Sequence, residues 1–155
     1  MKIAIAGASG RMGQMLIDTV LRTPGVTLGA ALDRPGSDAV GQDAGVKLGK
    51  TTGVIVTDDV RAGLSQADVL IDFTRPDATL NHLNVARELG TAVVIGTTGF
   101  TAEQKASFKT YGESIGVVWA PNMSVGVNAT FKLIEVAAKI LAQGYDVEII
   151  EAHHK

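Results

Sequence analysis

The sequence predicts an α/β protein built on a doubly wound parallel sheet, and three observations carry that expectation. Short, almost wholly apolar runs alternate with segments of helical period, as in strands covered by helices on both faces. The first run ends in a glycine-rich turn, Gly7-Ala8-Ser9-Gly10-Arg11-Met12-Gly13. The 155 residues, 46% hydrophobic and 19% charged, suit one globular core, since a chain of this size buries roughly 68–70% of its unfolded surface.

In order, the apolar runs are Ile3 to Ala6, Val26 to Leu32, Val54 to Val56, Val69 to Phe73, Ala92 to Ile95, Val117 to Ala120 and Val147 to Ala152. Arg11 to Leu21 places Met12, Met15, Leu16 and Val20 on one stripe, and Pro76 to Leu89 does so with Leu80, Leu83 and Val85 or Ala86 before Gly90 ends it. Thr101 and Gln104 have capping-box spacing ahead of another helix, and Val125 to Leu141 is a long apolar-periodic segment ended by Gly144. From Asp33 to Gly53 five glycines interrupt any period, which reads as a long surface loop, functional or mobile. The simplest architecture is one domain over 1–146 with strand order 3-2-1-4-5-6, residues 147–155 starting a segment that leads elsewhere.

Composition removes several function classes. A net charge of -2 without a Lys/Arg run argues against nucleic-acid and anionic-membrane surfaces. With no cysteine, disulfides, thiolate metal sites and cysteine nucleophiles are excluded, and a cytoplasmic location fits. The N-terminal apolar run is too short for a signal segment or a membrane span.

The glycine turn sits between a first strand and a first helix, where a dinucleotide fingerprint belongs. Glycines let the backbone approach a pyrophosphate, and the helix N-terminus supplies free amides and partial positive charge. Asp33 closes the second run, at the place for an acid that accepts from the adenosine ribose, and Arg34 follows with a guanidinium suited to a 2′-phosphate. This is a Rossmann-type arrangement, and NADH or NADPH is the expected cofactor. Read blandly, the same residues are a tight strand-to-helix turn and a solvated Asp-Arg pair.

Asp72-Phe73-Thr74, Gly96-Thr97-Thr98-Gly99 and Ala120-Pro121-Asn122-Met123-Ser124 leave the ends of later runs, where ligands bind in open α/β sheets. Glu148 to Lys155 contains His153 and His154. A metal site lacks a third ligand at useful spacing, His82 falling on the helix expected over 76–89. An acid/base or carboxylate-binding pair fits histidine chemistry better, and solvated histidines at a chain end are the bland alternative.

These segments occur in one order, with Asp72-Phe73-Thr74-Arg75-Pro76, Gly96-Thr97-Thr98-Gly99-Phe100, Asn122-Met123-Ser124-Val125-Gly126-Val127-Asn128 and Glu151-Ala152-His153-His154 most distinctive. In them the whole chain resembles dihydrodipicolinate reductase. The resemblance implies hydride transfer from NADH or NADPH to a cyclic dicarboxylate derived from 4-hydroxytetrahydrodipicolinate, in diaminopimelate and lysine biosynthesis. It implies that Gly7, Ala8, Ser9, Gly10, Arg11 and Met12 hold the pyrophosphate, Asp33 the ribose and Arg34 a 2′-phosphate. Gly96, Thr97, Thr98, Ala120, Pro121, Asn122 and Met123 would hold the nicotinamide half, His153 would be the acid/base group, and His154 a substrate contact.

The family's catalytic lysine, its Ser-Gly-Thr turn and its tetramer-building sheet domain have no counterpart in these residues. Lys155 stands where arginine is common, and Met123 where some members have phenylalanine. The expectation is a homotetrameric complete enzyme, and a 155-residue chain that binds cofactor without turnover. A non-catalytic NAD(P)-binding module is the competing reading, against which the histidine pair tells. Short-chain reductases need a tyrosine with lysine four residues on, but Tyr111 and Tyr145 are followed there by Ile115 and Ile149.

Overall fold

The fold was analysed in a computed structural model that describes residues 1–150; residues 151–155 lie outside the described residues. Six strands form one parallel sheet: β1 (Lys2–Ala6), β2 (Thr27–Leu32), β3 (Val56–Thr57), β4 (Val69–Asp72), β5 (Ala92–Ile95) and β6 (Val117–Trp119). Their spatial order is β3-β2-β1-β4-β5-β6, the doubly wound order expected from the sequence. The crossover helices are α1 (Arg11–Arg22), α2 (Val60–Leu64), α3 (Pro76–Leu89) and α4 (Ala102–Gly112). The chain divides into two compact units, Met1–Pro121 with the whole sheet and Asn122–Lys155 with α5 (Val125–Ile140). The sequence-based boundary stands further on, at residue 146.

Period-2 alternation along β1 explains the two faces. Ile3 and Ile5 pack with Ile17 and Val20 of α1, while Ala4 and Ala6 join Leu32, Leu70, Leu83 and Ile95 on the opposite face. Both clusters are buried, so β1 lies between two cores and needs apolar residues throughout. Between Ile3 and Ala4 the register against β2 slips past Gly29. A Cβ at Gly29 would lie 2.5 Å from the carbonyl oxygen of Gln66, so a bulge with glycine is what fits there.

Local signals set the helix ends. Thr101 and Gln104 form the reciprocal capping box, and Gly90 ends α3 in the left-handed conformation with φ 74°, both as the sequence implies. Helix α2 escapes the sequence reading because five residues are too few to show a period; its one cue is Asp59, whose side chain accepts from the Ala62 amide.

The 33–53 segment is a loop with a single 3-10 turn at Val46–Leu48. It is pinned by Asp43, whose carboxylate accepts from the amides of Gly45, Thr52 and Gly53 and from the Thr52 hydroxyl. Those bonds hold the Asp43 carboxyl down at about 2.

The run expected over Val147 to Ala152 is described as far as Ile150. Residues 147–150 adopt no strand, with Val147, Ile149 and Ile150 exposed, because a strand persists only when a neighbouring edge takes up its backbone groups. In the second unit Ser124 caps α5 and Asn122 accepts from the Ser124 amide, while Asn128 donates to the carbonyls of Asn122 and Ser124.

Candidate functional site

The C-terminal edge of the sheet carries the site. After β1 the chain turns at Gly7, whose φ of 69° is left-handed, and enters α1 with Gly10 as N-cap and no side-chain cap. The first-turn amides of α1 are therefore left for an external acceptor. Gly13 holds the helix against the turn: a Cβ there would sit 2.1 Å from the Gly7 carbonyl oxygen. These features fit a dinucleotide pyrophosphate, which needs close backbone approach and unpaired N–H donors.

Asp33 lies just beyond β2, half-buried. Its Oδ2 accepts from the Ser9 amide at 2.8 Å and its Oδ1 from the Arg34 amide at 2.8 Å. Burial alone would raise its pKa, but Ser9 and Arg34 outweigh that and hold it below the usual aspartate value. It stays ionised, an acceptor beside the glycine turn. Turn and acid open onto a cavity of about 450 Å³ whose lining includes Gly7, Gly10, Asp33, Thr74, Arg75 and His82.

The floor of this edge is a buried polar network. Asp72, at the end of β4, is 0% exposed. Its carboxylate accepts from the Thr74 amide at 2.9 Å and the Thr74 hydroxyl at 2.6 Å, and its other oxygen pairs with Nδ1 of His82 at 2.7 Å. The Thr97 hydroxyl donates to Asp72 at 3.3 Å and accepts from Thr79 at 2.9 Å. Burial pushes the Asp72 carboxyl up, yet His82 and Thr74 more than compensate and its pKa lies below the usual value. The network ties the β4 and β5 loops together.

The positions expected to hold nicotinamide divide. Gly96, Thr97 and Thr98 follow β5, with Thr98 exposed and Thr97 buried. The Thr97 hydroxyl belongs to the network and its carbonyl accepts from Trp119 Nε1 at 3.2 Å, so both groups are already engaged within the protein. A Cβ at Gly96 would overlap the Phe73 ring at 2.0 Å, so a larger residue there would displace that ring. Ala120 and Pro121 end the first unit, and Asn122 and Met123 begin the second. His153 and His154 lie outside the described residues.

Sequence reasoning missed the contacts of His82 with Asp72 and of Lys47 with the Ser9 carbonyl. His82 shares a stripe with Thr79, Leu83 and Ala86, all buried; a histidine in that stripe was the available signal. Among the described residues no cluster of three or more His, Cys, Asp or Glu side chains could hold a metal ion, and no helix is long and apolar enough to cross a membrane.

The family model for dihydrodipicolinate reductase, N-terminus, matches residues 1–123. The chain belongs to that family. Its matched span ends close to Pro121, where the sheet-bearing unit closes. Over all 155 residues the chain is 89% identical to the 4-hydroxy-tetrahydrodipicolinate reductase of Ralstonia nicotianae, covering 59% of that protein. It is 66% identical to the namesake from Cupriavidus metallidurans, covering 58% of it. This member of the family therefore spans just under three fifths of the length of these relatives.

Among solved structures it is similar to the dipicolinate-bound dihydrodipicolinate reductase from Paenisporosarcina sp. TG-14, with TM-score 0.72 and 28% identity over 89% of this chain and 53% of that one. An amine dehydrogenase from Mycobacterium smegmatis aligns with TM-score 0.62 at 24% identity over 76% of this chain and 38% of that one, a likeness of fold alone.

Proposed function

We propose that the chain is the cofactor-binding portion of an NAD(P)H-dependent 4-hydroxy-tetrahydrodipicolinate reductase. The observation that carries this is the β1 turn with Asp33 beside it: an uncapped helix start, glycines that admit close approach, and an ionised acceptor bonded to the Ser9 amide. The named relatives support the activity.

When bound, the nicotinamide would supply hydride to a cyclic dicarboxylate derived from 4-hydroxytetrahydrodipicolinate. The chain's own residues bind and orient. The amides that open α1 would take the pyrophosphate and Asp33 would accept from the ribose diol, while the family resemblance assigns the nicotinamide half to Gly96, Thr97 and Thr98 and to Ala120, Pro121, Asn122 and Met123. The Asp72–His82–Thr74–Thr97 network keeps the β4 and β5 loops in one arrangement, so the cofactor's two halves meet a preformed edge. His153 acts as acid/base group and His154 contacts substrate. The complete enzyme is a cytoplasmic homotetramer in the lysine and diaminopimelate pathway.

Residues 1–155 alone bind NADH and NADPH but do not turn over substrate, because two carboxylates need charge-assisted partners that the relatives' additional length would supply. A cofactor titration beside an absorbance assay at 340 nm tests this. Failure to bind either cofactor overturns the reading, and turnover near that of a full-length reductase overturns the division of labour.

A further inference from the structure

A second cavity, of about 320 Å³, lies under the 33–53 loop, and its lining includes Ser9, Gln14, Arg34, Ser37, Asp38 and Lys47. It shares just Ser9 and Arg34 with the cavity that Asp33 lines. It therefore begins where the ribose-facing acid ends. Lys47 Nζ donates to the Ser9 carbonyl at 2.9 Å, which ties the loop to the glycine turn. Two of its three N–H donors are left over.

The cations around this cavity differ from others in the chain. Lys50 and Arg22 pair with Asp18, and Arg61 pairs with Glu88. Among the described residues, neither Arg34 nor Lys47 has a carboxylate within ion-pair distance. Two acids line the same space. The Asp43 carboxylate is taken up by Gly45, Thr52 and Gly53. The four charges of the lining balance formally, Arg34 and Lys47 against Asp38 and Asp43, so without Lys47 the lining would be net negative and closed to an anion.

We infer that Arg34 and Lys47 together cradle a phosphate monoester on the 2′ position of the adenosine ribose, with Lys47 as the specificity-determining residue that lets the site accept NADPH. This rests on the cofactor-binding reading above. The guanidinium offers a planar fork and the ammonium, held at the Ser9 carbonyl, a point charge, the pairing that suits a dianion next to Asp33. Because Lys47 reaches the site from the loop, the loop's length acquires a purpose: it carries to the turn a second cation beside the Arg34 that follows β2.

The test titrates NADH and NADPH separately into the full chain and its variants, following quenching of the single tryptophan, Trp119. For Lys47→Ala, Kd for NADPH should rise about 10-fold or more while Kd for NADH moves less than about 3-fold. Lys47→Arg should restore most of the NADPH affinity, and Asp38→Asn should tighten NADPH alone. An equal change for both cofactors, or none, in Lys47→Ala overturns the assignment, as does an Asp38→Asn variant that tightens neither. A wild-type chain that binds neither cofactor overturns the broader reading instead, so the two failures are distinguishable.

Discussion

Nδ1 of His82, on α3, lies 2.7 Å from Oδ2 of Asp72 at the end of β4, with the two side chains 10% and 0% exposed. Two ionisable groups so far from water are compatible with folding only as partners, and the Thr74 and Thr97 hydroxyls take up the other carboxylate oxygen. The pair stands directly under the loops that follow β4 and β5.

Removing one partner should therefore be costly. His82→Leu leaves the Asp72 charge buried without its main counterpart and is expected to lower unfolding free energy by about 3–5 kcal/mol. The double variant His82→Leu with Asp72→Leu should recover part of that loss. Denaturant midpoints measure both. A loss below about 1 kcal/mol for His82→Leu would show that the pair is incidental.

The same carboxylate predicts an acid limb. The folded-state pKa of Asp72 lies below the value of about 3.9 that an unfolded aspartate has. Its contribution to stability is then fully present above the unfolded pKa and is lost as pH falls from about 4 through the lower folded value. Asp72→Asn should be destabilised at pH 7 and show a shallower decline between pH 5 and 3 than the wild type. Parallel pH profiles for the two proteins would remove Asp72 from the account.

Gly13 should resist substitution although it sits in a helix. The Cβ of Gly13→Ala would lie 2.1 Å from the Gly7 carbonyl oxygen and 2.8 Å from the Ala8 Cα, so α1 must move off the turn. Affinity for both cofactors is expected to fall at least about 10-fold through the lost pyrophosphate geometry. Gly112→Ala, at a helical glycine with nothing within 4 Å, is the control and should leave binding unchanged. Equal behaviour of the two variants in a cofactor titration would contradict the packing argument.

Arg34→Ala should discriminate between cofactors. Arg34 lines both cavities, and losing a charge-assisted pair to a 2′-phosphate is worth about 1.5–3 kcal/mol. NADPH binding should drop by that amount in calorimetric titration while NADH binding changes little. Equal losses would move Arg34 from phosphate recognition to general support of the turn.

For the complete enzyme, His153→Ala should reduce kcat by about 10² to 10⁴-fold, the usual share of a positioned acid or base, with cofactor affinity retained. His154→Ala should mainly raise KM. Turnover that survives His153→Ala across the whole pH range would confine His153 to positioning.

How much of this was legible beforehand depends on the range of the interaction. Sheet order and crossover helices could be read from the chain because apolar runs of strand length alternate with helical stripes, and the handedness of crossovers leaves few ways to join them. Gly7 to Gly13, Asp33 and Arg34 were legible for a related reason: a strand, a turn and a helix that follow one another bring their own geometry. Helix α2 was not, since five residues are too few to show a period. What the tertiary structure alone decided are meetings between distant residues. Asp72 finds His82 across the β4–α3 turn, Thr97 arrives from β5, and Lys47 comes from a loop without a period to touch Ser9. No local pattern encodes such contacts, because side-chain charges and hydroxyls pair by where the sheet delivers them, and that placement exists once the two apolar faces have closed around β1.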